Sequence, residues 1–477
     1  MATALIWLRR DLRLADNPAM IAASQHRHCI PVYVHNPADE GDWAPGAASR
    51  WWLHHSLKAL SASLDKAGSR LIIRSTHDTL DCLRAIISET GAEALYWNRV
   101  YEPGLIKRDQ TIKLALREDG LAVHSLNAAL LREPWEVTRR DGGHYRAFTP
   151  FWRALSAMPP IAPEPAPELP APPPAWPKGQ PVESLGLLPG IPWDRHFHDQ
   201  WRPGEAGANA ALETFLESAL QGYDDARDRP GQAGTSRLSP HLHWGEISPR
   251  QIRAAVTRQQ QETVLPDHDV ESFLSEVGWR EFAHHLLYHF PHMPQDPLDA
   301  RFRHFPWAAD TADALRAWER GRTGIPIVDA GMRELWAIGW MHNRVRMIVG
   351  SLLTKNLRIP WQTGEAWFWD TLVDADLASN SMGWQWIQGC GADAAPYFRI
   401  FNPVRQGERF DPEGHYVRRW VPELRALPDK YLHSPWSAPE QVLREAGVRL
   451  GDTYPRPLVD LATSRKDALA AYQDIRS

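Results

Sequence analysis

The chain has 477 residues, 43% of them hydrophobic, which is enough for roughly two to four folding units with sizeable cores. Its formal charge is −5, so it is not globally basic, and binding to nucleic acid would need a local basic patch. Three widely spaced cysteines (Cys29, Cys82, Cys390) exclude a disulfide framework and fit a reducing cytosol. The first residues run straight into charge, and no apolar stretch reaches roughly 18 residues, so a cytoplasmic protein with no membrane partner is expected.

In chain order, short apolar runs at 4–8, 30–34, 71–74, 94–97 and 121–126 predict strands, with helical patterns near 50–67, 78–90 and 105–118 between them. That alternation predicts a parallel sheet with crossover helices over 1–130. No GxGxxG follows the first strand, so the domain is Rossmann-like without the dinucleotide fingerprint. Residues 159–177 hold ten prolines in nineteen positions. They read as an extended spacer within a linker over 131–204, a polyproline ligand for a partner module being the alternative. Beyond 205 the period changes. Leu212, Phe215, Leu216, Ala219 and Leu220 share one helical face, and helical patterns recur over 250–262, 267–290, 311–320, 326–356 and 364–372. The stretch 205–477 is predicted to be an all-α domain.

Tryptophan is the compositional outlier, with 23 residues that serve either as core payload or as stacking platforms and redox stations. In 324–353, Trp340, Asn343, Arg344 and Met347 share a helical face by spacing, and a buried Arg there needs an anionic partner. Asp329 and Arg333 read as a surface i, i+4 pair. Glu276, Trp279 and Arg280 lie together on a helical face, suited to a planar heterocycle or to an intrahelical salt bridge. Asp374 and Asp376 precede Asn380, Trp384 and Trp386. Without a His–Cys cluster nearby no metal site is expected, and the HLHW pair His241 and His243 reads as structural. The turn GTSRL (234–238) offers N–H groups and hydroxyls to a phosphate. Residues 397–425 carry Arg399, Arg405, Arg409, Arg418, Arg419 and Arg425 among Phe398, Phe401, Tyr416 and Trp420, the candidate basic patch.

Taken together, these segments resemble the photolyase/cryptochrome family. The resemblance runs through WLRRDLRLADN (7–17), TSRLSPHLHWGEISPR (235–250), FLSEVGWREF (273–282), GWMHNRVRM (339–347), DADLASNSMGWQW (374–386) and GADAAPYFRIFNPVRQGERFDPEG (391–414). It implies an N-terminal α/β antenna-binding domain, a linker and a large all-α FAD-binding domain, the fold class that the pattern predicts independently. By resemblance, Tyr223, Thr235, Ser236, Arg237, Leu238 and Ser239 hold the flavin's phosphates and ribityl chain. Arg346, Asp374 and Asp376 lie near the isoalloxazine ring and Asn380 near its N5, with Phe273, Glu276, Arg280, Trp340 and Asn343 also in the cofactor site. Phe273 stands where some relatives carry Trp.

Glu276, Trp279, Asn343, Arg344, Met347 and Trp386 resemble the pocket for a flipped dimer, with Arg227, Arg280 and Arg399 as phosphate or lesion contacts. Trp384, Trp361 and Trp307 stand where the family keeps an electron-transfer chain. The implied activity is that of a monomeric, light-dependent carbon–carbon lyase. It splits cyclobutane pyrimidine dimers in UV-damaged DNA by electron transfer from excited reduced FAD (FADH−), with the lesion extruded from the duplex. The alternatives are a cryptochrome photoreceptor, a (6-4) photolyase, or a flavin-binding interaction module that uses the proline segment. Asn380, Asn343 and Met347 favour the dimer-splitting branch, and no long tail is expected after the helical half. In YEPGLIKRD (101–109), Gly104 and Leu105 stand where folate-binding relatives often show polar groups. The antenna therefore stays open among methenyltetrahydrofolate, a deazaflavin and none.

Overall fold

In the computed structural model, which describes residues 3–393 and 398–476, one parallel sheet has the order β3-β2-β1-β4-β5. Its strands are β1 (Thr3–Leu8), β2 (His28–His35), β3 (Ile72–Ser75), β4 (Ala92–Asn98) and β5 (Ala122–Leu126). β1, TALIWL, is buried at every position but its first. Both faces of a parallel sheet are covered by helices, so its central strand carries an unbroken apolar run instead of an alternation. The sheet's helices are α1 (Pro18–Ser24), α2 (Ala47–Lys66), α3 (Thr79–Thr90) and α4 (Pro103–Glu118). Their ends are written locally. Asn17 caps α1 ahead of Pro18, Asp78 caps α3, and Gly91 at φ 61° closes it in the left-handed conformation.

The WLRRDLRLADN segment turns out to be structural. Arg13, 1% exposed, gives its guanidinium N–H groups to the carbonyls of Ala15, Asp16, Ala128 and Gly245. Asn98 donates to Asp11 and Asn17 at 2.6 Å each. A cation spent on four carbonyls locks several loops at once.

The proline-rich segment is extended, as the ring's fixed φ requires, but it is bound along its length where composition predicts a spacer. Glu164 exchanges hydrogen bonds with Asp16, Ala171 accepts from His28, and Lys178 accepts from Arg74. Trp176 packs on the sheet core, and Gln180 N donates to Ile73 O, capping the edge strand β3.

Further along lie α5 (Phe148–Ser156), α6 (Glu205–Ser218), α7 (Pro249–Glu262) and α8 (Asp267–His289). A capping box of Ser248 and Gln251, followed by Pro249, starts α7. These elements belong to the first of two units, which comprises Met1–Ser218, Ser236–Pro291 and Val373–Ala378. On α8, His285 is 1% exposed. Its Nδ1 meets Pro134 O and its Nε2 meets Tyr145 N, both at 3.2 Å, which suits only the neutral ring. Burial, then His289, push its pKa from 6.5 down to about 3. The unfolded chain therefore binds the extra proton first, and this contribution to stability, complete above pH 6.5, is lost as pH falls. At pH 5 the loss is about 2 kcal/mol. Urea unfolding at pH 7 and pH 5 should show a smaller acid loss in His285→Gln than in the parent.

The second unit comprises Ala219–Thr235, His292–Leu372 and Ser379–Ser477. Its described helices of eight residues or more are α9 (Ala312–Glu319), α10 (Pro326–Ile338), α11 (Asn343–Ser351), α12 (Trp361–Thr371), α13 (Leu377–Gln388, which begins in the first unit), α14 (Pro403–Phe410) and α15 (Leu461–Asp474). The single helix predicted over 326–356 is broken. Gly339 turns left-handed at φ 67° and bonds back to Leu335 O. His342 then caps α11, which runs into a π-turn at Leu352–Asn356. Trp340 therefore sits in the connection, off the helical face that carries Arg344.

The Asp329–Arg333 surface pair is also overturned. Asp329 is fully buried and accepts from Thr323 N, Thr323 Oγ1, Gly324 N and Tyr454 OH at 2.6–3.0 Å. Arg333 pairs with Glu423. Among the described residues, no helix is long and apolar enough to cross a membrane.

Candidate flavin and lesion site

In the first unit the turn at 236–238 is tight. Arg237 takes φ 52°, an uncommon value for a side-chain-bearing residue, and Leu238 N donates to Ser236 Oγ. The Arg237 guanidinium reaches Gln200 and lies 5.6 Å over Trp201. Ser239 opens the short helix Ser239–His243 and donates to Asp374 Oδ2 at 2.6 Å. Asp376 is held by His284 (3.5 Å) and His243 (3.7 Å). Burial alone would raise its carboxyl. The charge of His284, the nearby His243 imidazole and Arg280 outweigh burial and hold it well below the usual carboxylate range. The paired carboxylates are thus both anchored, one by a hydroxyl and one by two imidazoles.

α8 carries four of the predicted residues. Phe273 is buried against Phe215, 4.4 Å between centroids. Glu276 is half-buried, and Trp279 lies flat against Phe148 with centroids 3.8 Å apart. Arg280 donates to Ala129 O at 2.7 Å and pairs with Glu281 at 3.7 Å. The alternative of a Glu276–Arg280 bridge thus gives way to an Arg that ties the helix to the β5 loop. Glu281 was not singled out in the sequence. It is buried and accepts from Leu131 N, and burial pushes its carboxyl up to about 7 against the pull of Arg280 and His284.

In the second unit Tyr223 is buried, with the Arg227 guanidinium 5.6 Å from its ring. Thr235 follows Gly234, where a Cβ would come within 2.7 Å of Ala226 O, so the turn needs glycine. Asn343 is exposed at the start of α11. Arg344 is forked onto Asp228 (2.5 and 3.1 Å) and lies 4.4 Å over Phe410. The anionic partner that the sequence demanded for this Arg is therefore Asp228, a residue that sequence pattern did not offer. Arg346 donates to Met341 O and sits 5.8 Å from the Trp340 ring. Met347 is half-buried, as is Trp386, over which exposed Arg399 lies at 5.7 Å. Within the candidate basic patch, Arg418 is committed to Glu413, Arg425, Leu427 and Asp429, while Arg399, Arg405, Arg409, Arg419 and Arg425 are exposed. Ala394, Ala395, Pro396 and Tyr397 of the 391–414 motif lie outside the described residues.

On α13, Asn380 Nδ2 donates to Glu365 O at 3.0 Å, and Ser381 Oγ donates to Glu365 Oε1 at 2.5 Å. Burial pushes the Glu365 carboxyl up to about 8. Trp384, one turn on from Asn380, is 1% exposed and edge-on to Phe368 at 5.0 Å. Its ring rests on Gly364, one turn beyond Trp361 in α12, and a Cβ at Gly364 would overlap it. Trp361 is buried, while Trp307 is half-buried on Phe305, and its neighbour Ala308 bonds to Arg358 O, just before α12. The three tryptophans are thus tied through α12 and run from core to partial exposure. Gly364→Ala should cost about 1–3 kcal/mol by overpacking and red-shift the buried tryptophan fluorescence, as urea unfolding and emission spectra would report.

Residues 4–173 match the family described as DNA photolyase, and residues 273–474 match the FAD binding domain of DNA photolyase. A deoxyribodipyrimidine photo-lyase of Agrobacterium fabrum is 49% identical over 478 residues, covering 100% of this chain and 98% of that protein. Cryptochrome-1 of Arabidopsis thaliana is 41% identical over 96% of this chain and 68% of its own length. The crystal structure of a bacterial class III photolyase from Agrobacterium tumefaciens matches with a TM-score of 0.96 at 49% identity, covering 100% of this chain and 98% of that one. The sheet order, the helical FAD-binding region and these likenesses agree, and the chain belongs to the DNA photolyase family.

Proposed function

We propose that this chain is a light-driven DNA repair enzyme that splits cyclobutane pyrimidine dimers, working as a cytoplasmic monomer. The observation that carries this reading is the full-length 49% identity to a protein named deoxyribodipyrimidine photo-lyase. The residues present suit FAD. The hydroxyls of Thr235, Ser236 and Ser239 and the Arg237 cation offer partners for phosphates and ribityl hydroxyls. The anchored carboxylates Asp374 and Asp376 offer acceptors for ring-edge and sugar donors. Tyr223, Leu238, Phe273, Trp340, Asn343, Arg346 and Asn380 complete the proposed cofactor set. When bound, reduced and excited by blue light, FAD would lend the electron that opens the cyclobutane ring and take it back once the two bases have separated.

The chain's own residues do the rest. Glu276 hydrogen-bonds the base edge of the extruded dimer, a preorganised electrostatic role. Trp279, Met347 and Trp386 stack on it, with Asn343 and Arg344 completing its pocket. Arg227, Arg280 and Arg399 contact phosphates or the lesion. Trp307, Trp361 and Trp384 carry electrons inward from the surface. The antenna is left among methenyltetrahydrofolate, a deazaflavin and none, and residues 1–130, 131–204 and 205–477 are read as antenna domain, linker and FAD domain.

The 41% identity to a plant cryptochrome supports a second reading, blue-light signalling. Dimer-containing duplex incubated with flavin-loaded protein under blue light, with a dark control, separates the two. Light-dependent loss of dimers is expected, and flavin-loaded protein that leaves them intact would overturn the repair reading.

A further inference from the structure

Trp279 does not stand alone on α8. Phe148, the first residue of α5, lies parallel to its indole, with an interplanar angle of 9° and centroids 3.8 Å apart. Full face-to-face stacking is not the arrangement two free rings prefer, because their quadrupoles repel. The surroundings impose it. Trp152, one turn further along α5, lies over Gly278, where a Cβ would come within 2.5 Å of the Trp152 ring. Trp152 is itself parallel to Phe148 (8°), and Phe282 meets both Phe148 and Trp279 edge-on, at 6.0 and 5.9 Å. The missing side chain at Gly278 lets α5 press onto α8. Two helices far apart in sequence thereby place a nine-tenths-buried ring behind one face of Trp279. Among the described residues the opposite face has no aromatic neighbour, and the residue is half-exposed.

We propose that Phe148 is a positioning residue for lesion recognition: it fixes the plane in which Trp279 meets a base of the extruded dimer. This rests on the reading of Trp279 as a lesion contact. An indole free to rock about its side-chain bonds must be ordered when a base stacks on it, whereas one already clamped from behind has lost that freedom beforehand. Phe148 would thus act on affinity for damaged DNA, leaving undamaged duplex, flavin and the photochemical step untouched.

The test uses flavin-loaded protein in the dark and a duplex carrying one thymine dimer beside its undamaged counterpart. Phe148→Leu should weaken binding of the damaged duplex by roughly fivefold to tenfold, the scale of one aromatic pair. Binding of undamaged duplex, flavin absorbance and the fraction of bound dimers split per photon should stay at parent values. Phe148→Tyr should restore affinity, and in a Trp279→Leu background Phe148→Leu should add little. If Trp279→Leu weakens damaged-duplex binding while Phe148→Leu does not, the positioning role is wrong and the lesion contact stands. If Trp279→Leu also binds like the parent, the lesion contact itself is wrong. Equal losses for damaged and undamaged duplex, or loss of flavin, would show a merely structural role and overturn the proposal.

Discussion

Trp384→Phe should leave flavin-loaded protein folded and competent in repair once chemically reduced, yet slow light-driven reduction of its oxidised FAD on the order of 100-fold. The argument begins on α13, where Trp384 follows Asn380 by one turn and shares its face. If Asn380 faces the flavin ring, as proposed, Trp384 is the indole on that same side. On the proposed reading, its burial, its seat on Gly364 beside Trp361's helix, and half-buried Trp307 next to the start of that helix would give an electron a route inward from solvent. A phenyl ring fills most of the same space but is far harder to oxidise. A barrier rise of roughly 3 kcal/mol already gives a 100-fold loss. Trp318→Phe is the matching control. Trp318 is equally buried and meets Trp384 edge-on at 6.4 Å, but its indole N–H is engaged with Val349 O. Losing it should cost stability and leave photoreduction in place. Flavin absorbance followed under blue light with an external reductant reads both variants. Parent-like photoreduction in Trp384→Phe would remove this chain of indoles from the mechanism.

The sheet was legible because parallel strands buried on both faces read as bare apolar runs, and all five lie where 4–8, 30–34, 71–74, 94–97 and 121–126 place them. The break at Gly339 was not, since a glycine inside a helical pattern costs only about 1 kcal/mol and the surrounding residues keep the helical period. Asp329 was misread because an i, i+4 neighbour is visible in a sequence, whereas its partner Tyr454 comes from a distant segment. The same limit hid Asp228 beneath Arg344, Ala129 beneath Arg280 and Phe148 behind Trp279. Composition called the proline segment a spacer because prolines lack N–H groups. The backbone groups of the residues among and beside them still bind neighbours, which is how the segment is held. What sequence reads well is therefore type and period; what it misses is which long-range partner uses up a side chain's donors.

That lesson bears on Glu276, the residue on which repair itself is expected to depend most. Arg280, its i+4 neighbour, spends a donor on Ala129 O and pairs with Glu281, so the face of α8 that carries Glu276 and Trp279 is not closed by an Arg280 bridge to Glu276. Removing one preorganised polar partner of a charge that develops during reaction costs on the order of 100-fold in rate. Glu276→Ala should therefore lower the dimers split per absorbed photon on the order of 10- to 100-fold, while FAD stays bound. Glu276→Gln, with the same reach and both a donor and an acceptor, should lose less. Quantum yield measured on duplex with one dimer, beside flavin absorbance of the same preparation, separates two roles the residue has been given. A fall in yield at constant flavin content places Glu276 on the lesion, because only the reacting dimer gains charge as the electron arrives. Loss of flavin with normal yield per remaining holoenzyme would move it to the cofactor site instead, and stabilisation of the opening ring would then have to come from Asn343 or Arg344.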